Sequence, residues 1–472
     1  MNNAENEEPS SPPLNFPRAE MTPCARITTR AYDPLTNKVA TIQNILVRTV
    51  DDDDYYTSDE DGSDEDMAMG GGENGNQATR PVYYADAFAD YDVSSNTSTM
   101  NAHQEIGAAV IHHEQASSQK TCGTAIAEEV LKNASVQPQL NADKAYWLQN
   151  TISKCIFGRV RKAVALRRRV ATSEINAEWE LTYPREECAV KEMIWTRIRR
   201  FRQRGENEDP IKEVAAMQFI SLLPETNERQ FVLQQKDLLF DDRYLYSVMP
   251  FCNQGELFSV LEKNERFSED DARFWMIQML SSLKYMQEVA GICHRDVSLE
   301  NFMVNVDESG HRCLMIDFGM CLRVPHVVDA YNGQHNHLLM PPQGTCGKWF
   351  YMSPEIKCNR YAFDGFKADM WAMGVILYMM LMGSPPFETP TPDDRYFVYI
   401  TAGHLRRMLM NGGYQFSEEV MDLLQRLLTS DFRQRLSLQE TLEHPWISMG
   451  NAPPPPPPEA PPEWFTMHHQ SS

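Results

Sequence analysis

No uninterrupted apolar run in this 472-residue chain reaches the length of a membrane-spanning helix. The most apolar run, Met370 to Met382 (MWAMGVILYMMLM), has 13 residues against the ~20 a spanning helix requires. It is predicted to be a buried helix, and no membrane span is expected. Basic charge is scarce as well: 44 Lys and Arg face 66 Asp and Glu, for a net charge of −22. That balance argues against nucleic acid as the main partner, because a phosphate backbone selects the opposite sign. Paired cysteines are missing. The ten Cys are scattered singly with no C-x-x-C, which excludes a zinc module or a disulfide framework and fits reduced thiols in a cytoplasmic or nuclear setting. The opening MNNAENEEPSSPP is polar and acidic, unlike a signal peptide.

What the chain does contain is unevenly distributed. Asp51 to Asp66 (DDDDYYTSDEDGSDED) carries ten acids in sixteen residues, a self-repelling, solvated run in which Ser58 and Ser63 each precede an acidic triplet. Residues 1–100 show no sustained apolar period and are expected to be a disordered acidic region. Residues 101–146 read as a linker in which Thr124 to Ala134 (TAIAEEVLKNA) forms a short helix. Residues 449–472 read as a proline-rich disordered tail. Its segment Ala452 to Phe465 suits a polyproline II rod that would dock on an SH3, WW or EVH1-type domain.

Residues 147–448 form one patterned block. RKAVALRRR, ECAVKEMIW and YLYSVMPF alternate as strands, and the pattern then turns helical. In SEDDARFWMIQMLSSLKYMQEVAG, Ser268 and Asp271 stand at capping-box spacing and Trp275, Met279 and Leu283 recur at i, i+4, i+8, with Gly291 at the end. Strands first and helices after predict an α+β, two-lobed fold, with a β-rich small lobe at 147–249 and an α-rich large lobe at 253–448.

Along this block run CAVKEM, DPIKEVAAMQF, YLYSVMPFCNQGELF, HRDVSLEN, MIDFGM, YMSPE, DMWAMG and RQRLSL, in that order. The ordered set resembles the eukaryotic protein-kinase family, of serine/threonine type, over residues 147–448. The resemblance implies that Lys191 grips the ATP phosphates and is held by Glu213, and that Asp296 receives or orients the substrate hydroxyl proton. It also implies that Asn301 and Asp317 hold Mg²⁺. Met249 takes the gatekeeper position. Pro250 offers adenine a carbonyl, which needs no donor, and Cys252 offers an N–H. Glu256 matches a residue that meets ribose or a basic substrate side chain, and Glu300 suits a basic substrate too. Glu355 with Arg435, and Asp369 at the start of the buried helix, match structural pairs. Protein substrates follow from the same resemblance, and tyrosine specificity is disfavoured because the loop lacks A-x-R-N and R-x-x-N.

Two departures stand out. Of the glycine-rich loop, SKCIFGRV keeps only Gly158 and Val160, with Ser153 and Cys155 in place of the first two glycines, and some sixteen extra residues before Lys191 read as a loop insertion. In HRDVSLEN the expected Lys two residues after the Asp is Ser298, while in GKWFYMSPE the seventh residue before Glu355, a Thr in the family, is Lys348. The pair resembles a divergent, protist-like group, and the two groups are expected to have exchanged places, with Lys348 reaching the γ-phosphate and Ser298 supplying the hydroxyl contact. Arg295 before the catalytic Asp predicts a phosphate on the activation segment, for which Thr345 is the first candidate phosphosite and Tyr331 the second. The alternative reading is a pseudokinase scaffold, or an adaptor that acts through its acidic and proline-rich tails.

Overall fold

Two antiparallel hairpins far apart in the chain meet in one sheet. The computed structural model describes residues 16, 19–49, 83–84, 143–169, 177–204, 208–328 and 335–449. Strands β1 (Glu20–Asp33) and β2 (Lys38–Arg48) pair across a turn that ends on Asn37, whose φ of 53° suits an asparagine. The disorder expected over residues 1–100 therefore fails for 20–48. Val39, Thr41, Ile42, Ile45 and Val47 favour a pleated strand, and the buried Met21, Cys24 and Ala31 give β1 too sparse an apolar pattern to announce itself. The acidic run, the helix expected at 124–134 and the proline-rich tail lie outside the described residues.

The second hairpin is β3 (Lys144–Cys155) with β4 (Gly158–Arg168). It is followed by β5 (Trp179–Leu181), β6 (Glu187–Ile194), β7 (Asp237–Phe240) and β8 (Tyr244–Pro250). Pairing runs β1–β2–β3–β4–β6–β8–β7 and returns to β1, antiparallel except for the β7–β1 contact. The small lobe is thus a closed barrel, and closure leaves these strands without a free edge. Short β5 fills the seam by pairing with β4 and β1, so the sixteen-residue insertion contributes a strand and is not simply a loop. The small-lobe sheet thus includes the strand that begins at Lys144 and the hairpin at 20–48.

The barrel interior holds Leu46, Tyr146, Ala163, Val190, Leu239 and Val248. It also buries charge. Arg48 of β2 donates to Asp237 of β7 at 2.7 Å, and Tyr146 donates to the same oxygen at 3.2 Å. Arg26 of β1 and Arg159 of β4 both donate to Glu192, which is fully buried. Burial opposes the Glu192 charge, yet the two arginines hold its pKa below the ordinary value. A buried ion with its partners removed costs about 3–5 kcal/mol, so these inter-strand pairs make register errors expensive.

Helices α1 (Trp195–Arg202) and α2 (Pro210–Leu222) cover one side of the barrel. The large lobe is built on α3 (Leu257–Asn264), α4 (Glu269–Lys284), α5 (Gly365–Met382) and α6 (Glu418–Leu427). Ser268 caps α4 by accepting from Asp271 N at 3.1 Å, and Trp275, Met279 and Leu283 are buried as their spacing predicts. A wider turn over Tyr285–Ala290 prolongs the helix to Gly291, whose φ is 66°. Helix α5 is long and apolar enough to cross a membrane by length and composition, but it is mostly buried in the core. Its N-cap is Asp364, which accepts from Phe366 N and Lys367 N. Asp369 therefore lies inside α5 and not at its start. A short strand β9 (Gly255–Glu256) and the hairpin β10 (Phe302–Asp307) and β11 (Gly310–Met315) floor the cleft between the lobes.

Candidate active site

Alternation along β6 puts Glu192 into the barrel and Lys191 out toward the cleft. There Lys191 Nζ donates to both oxygens of Glu213 on α2, at 2.8 and 2.6 Å. Burial by itself would push the Lys191 ammonium down, but the charges of Glu213 and Asp317 outweigh it and its pKa lies above the ordinary value. Asp317 follows β11 with a φ of 63°, a left-handed conformation that costs a non-glycine residue about 1 kcal/mol or more. Burial opposes its charge as well, yet Lys191 keeps its pKa below the usual carboxylate range.

The catalytic loop is pinned from beneath. Asp369 of α5 accepts from the backbone N–H groups of His294 and Arg295, both at 2.8 Å. These bonds hold Arg295 at a φ of 66° and aim Asp296 into the cleft. Asn301 Nδ2 donates to the Asp296 carbonyl at 2.7 Å and to its Oδ2 at 2.8 Å. Glu355 and Arg435 form a two-pronged pair at 2.7 and 3.0 Å, with the Arg435 side chain fully buried.

The structure brings Lys348 and Ser298 into contact beside Asp296. Lys348 Nζ donates to Ser298 Oγ at 2.7 Å and to Asn301 Oδ1 at 3.2 Å, and lies 3.5 Å from Asp296 Oδ2. Its backbone N–H donates to Asp296 Oδ1 at 3.0 Å. Gly347, at a φ of 87°, makes that approach possible: a Cβ there would sit 2.8 Å from the Arg295 carbonyl oxygen. An ammonium thus stands beside the Asp296 carboxylate, delivered to Ser298 from 50 residues further along the chain. Asp296, Gly347, Lys348, Tyr351, Met352 and Ser353 line a small cleft on this side.

The remaining candidates take more varied positions. Gly158 packs tightly, because a Cβ there would meet the Glu192 carbonyl oxygen of β6 at 2.0 Å. Val160 pairs with Lys191, and Met249 and Pro250 close β8 opposite Ala189 and Cys188. Cys252 is buried just beyond. Glu256 is close enough to Glu300 that partial burial, aided by that charge, raises its pKa. Glu300 also accepts from Tyr351 Oη at 3.0 Å. Thr345 is exposed, one residue past the Gly344 carbonyl to which Arg295 Nη2 donates at 3.3 Å. Tyr331 lies outside the described residues.

One carboxylate escaped the sequence reading. Glu208, just before α2, sits against Gly319, and burial together with the Asp317 charge pushes it up to about 6. No motif marks it.

A carboxylate from Asp317 and an amide oxygen from Asn301 are hard donors that fit Mg²⁺, and Lys191 beside Asp317 fits a polyphosphate. Among the described residues no three His, Cys, Asp or Glu side chains converge as a metal cage. A cation here would complete its shell with phosphate and water oxygens.

A family model described as the protein kinase domain matches residues 185–447. Serine/threonine-protein kinase SAPK2 of Oryza sativa subsp. indica is 31% identical over 215 residues, covering 46% of this chain and 59% of the relative. Serine/threonine-protein kinase SRK2C of Arabidopsis thaliana is 31% identical over 248 residues, 52% of this chain and 66% of the relative. Serine/threonine-protein kinase DCLK3 of Homo sapiens is 32% identical over 208 residues, 44% of this chain and 29% of the relative. The match spans less than two thirds of each of these relatives.

Proposed function

The chain belongs to the protein kinase domain family, and on that premise we propose that it transfers the γ-phosphate of ATP to serine and threonine hydroxyls of protein substrates. The observation that carries this reading is the convergence of Lys348, Ser298 and Asn301 on Asp296. It restores the positive charge whose loss from the catalytic loop would otherwise favour a scaffold. Lys191, held by Glu213, takes the α- and β-phosphates. Asp296 receives the proton of the attacking hydroxyl as the new O–P bond forms and the β–γ bridge bond breaks. Lys348 neutralises charge on the transferring group from the side opposite Lys191. Asp317 and Asn301 would hold Mg²⁺, which would further neutralise the triphosphate.

Three coarser proposals accompany it. The nine described cysteines form no disulfide among the described residues, which supports a reducing compartment, cytoplasmic or nuclear. The proline-rich tail is proposed to engage an SH3, WW or EVH1-type domain. Glu256 and Glu300 support substrates with basic residues near the acceptor hydroxyl.

The test is transfer of radiolabelled phosphate from ATP with Mg²⁺ to a mixed protein substrate, followed by phosphoamino-acid analysis. Label on serine and threonine that disappears in Asp317→Ala and in Lys191→Met, with both variants folded, is the expected result. Equal labelling by parent and Asp317→Ala, or none by the parent, would leave the scaffold reading.

A further inference from the structure

Helix α2 presents an unusual surface. Its sequence, PIKEVAAMQFISL, is apolar nearly all round, so it needs cover on every side. Ile211, Val214 and Ala215 pack with Trp195, Ile198 and Leu238 toward the barrel, while Ala216, Met217, Phe219 and Ile220 join the large-lobe core. The start of the N-terminal hairpin belongs to the first of these clusters through Ala19 and Met21, and the Phe16 ring lies 5.8 Å from that of Phe219.

The polar side chains of α2 account for themselves differently. Glu213 is spent on Lys191, and Ser221 bonds back to the Met217 carbonyl of its own helix. Gln218 reaches out of the helix to the backbone of β1. Its Oε1 accepts from Glu20 N at 2.8 Å and its Nε2 donates to Glu20 O at 2.6 Å, across 198 residues of chain. A side-chain amide thus pairs with the strand as a neighbouring strand would. Five residues separate Gln218 from Glu213, about 140° around the helix axis, so the two grips hold α2 from nearly opposite sides.

We infer that Phe16, Ala19, Glu20 and Met21 form a latch on α2, and that Gln218 is a positioning residue holding the helix in the rotation that presents Glu213 to Lys191. The inference rests on the phosphotransfer reading for its consequence, since it makes the nucleotide site depend on a segment far upstream of the matched kinase region. Its structural content does not depend on that reading. With the latch open, the helix populates orientations in which Glu213 has left Lys191, and apparent nucleotide affinity falls by the fraction of molecules still competent.

The experiment uses the full chain and Gln218→Ala, with Phe16→Ala as a second variant at the same contact. Gln218 is only half-buried, so its truncation leaves no large internal void. Hydrogen exchange of residues 210–222 should quicken several-fold in both variants, and affinity for a fluorescent ATP analogue should drop about three- to tenfold. The variants should retain the parent's cooperative melting. In a Glu213→Gln background, Gln218→Ala should cost no further affinity, because the group it positions is already gone. Unchanged exchange over 210–222 overturns the latch. An equal, additive affinity loss in both backgrounds overturns the positioning role. Absence of phosphotransfer by the parent would sink the functional reading instead, while the exchange measurement would still decide the latch.

Discussion

The floor of the cleft and the barrel above it use the chain in contrasting ways. On the floor, the residues around Asp296 come from two compact segments, and Lys348 contacts Ser298 over a separation of 50 residues. In the barrel, the decisive pairs are far more remote: Arg48 with Asp237 over 189 residues and Arg26 with Glu192 over 166. The floor's chemistry is carried by short motifs whose members sit within a few residues of one another. The barrel's stability is carried by single side chains with no local signature. A site can therefore be read from its motifs while the platform that positions it goes unread.

The contrast breaks first at Lys348, which reaches Asp296 from outside the catalytic loop. A unit charge pair at about 4 Å and an effective dielectric near 20 is worth roughly 4 kcal/mol, and less at greater distance. Lys348→Thr should therefore lower the rate of phosphate transfer by about 30- to 1,000-fold. Adding Ser298→Lys should recover much of it, since the ammonium returns from the other side of the same contact. Steady-state rates for the parent, the two single variants and the double variant decide the matter. Full activity in Lys348→Thr would show the residue to be a bystander.

The barrel half of the comparison is sharpened by Arg48. The Asp237 side chain is 5% exposed, and Arg48 is the cation beside it. Arg48→Met strands that carboxylate and should destabilise the protein by about 3 kcal/mol in chemical denaturation, even though Arg48 lies some 95 residues before β3 and outside the matched kinase region. Arg48→Met with Asp237→Leu should regain most of the loss, because an apolar pair of similar volume needs no compensation. If Arg48→Met unfolds at the parent's denaturant midpoint, the hairpin is an ornament and not part of the lobe.

Much of the floor was readable because its motifs carry chemistry that few other arrangements share. Asp296 meets Asn301 and Lys348, and Glu355 pairs with Arg435. Each stands in a short motif, and counting back from Glu355 marked Lys348. What spacing could not show, packing had decided. Gly158 is demanded by the Glu192 carbonyl of β6, a contact that no spacing reveals. Asp369 kept its role, but the helix starts earlier because Asp364 caps it. The hairpin at 20–48 was missed although DPLTNK is a turn signal and β2 is rich in β-branched residues. The acidic run after it dominated the composition of the first hundred residues, and β1 buries too few side chains to show a period of two.

A smaller effect is expected at Thr345, which borders both regions through Arg295. The Arg295 guanidinium is buried between Met320 O and Gly344 O, and its Nε has no hydrogen-bond partner among the described residues. Lys212 of α2 adds positive charge nearby, with burial holding its pKa down. A phosphate on Thr345 would meet both cations and tie the activation segment to the small lobe. Thr345→Ala should then lower activity about tenfold in protein that mass spectrometry finds phosphorylated at that site. Undiminished activity together with an unmodified Thr345 would refute this.

The smallest effect belongs to Glu208, which lies in the small-lobe chain but feels the large-lobe Asp317. Burial first, and then the Asp317 charge, raise its pKa to about 6. The ordinary value is near 4.5, so the folded protein holds this proton more tightly than the unfolded chain does. The resulting stabilisation is complete below about pH 4.5 and is lost as pH rises through about 6, where a second negative charge forms beside Asp317. Glu208→Gln cannot ionise and should escape that loss. Discounted for its partial exposure, the shift corresponds to about 1 kcal/mol. In nucleotide-free protein, Glu208→Gln should therefore melt a few degrees above the parent at pH 8 and level with it near pH 4.5. A difference that stays constant across that range would mean the two carboxylates do not sense each other, and that the lobes meet at this point without electrostatic coupling.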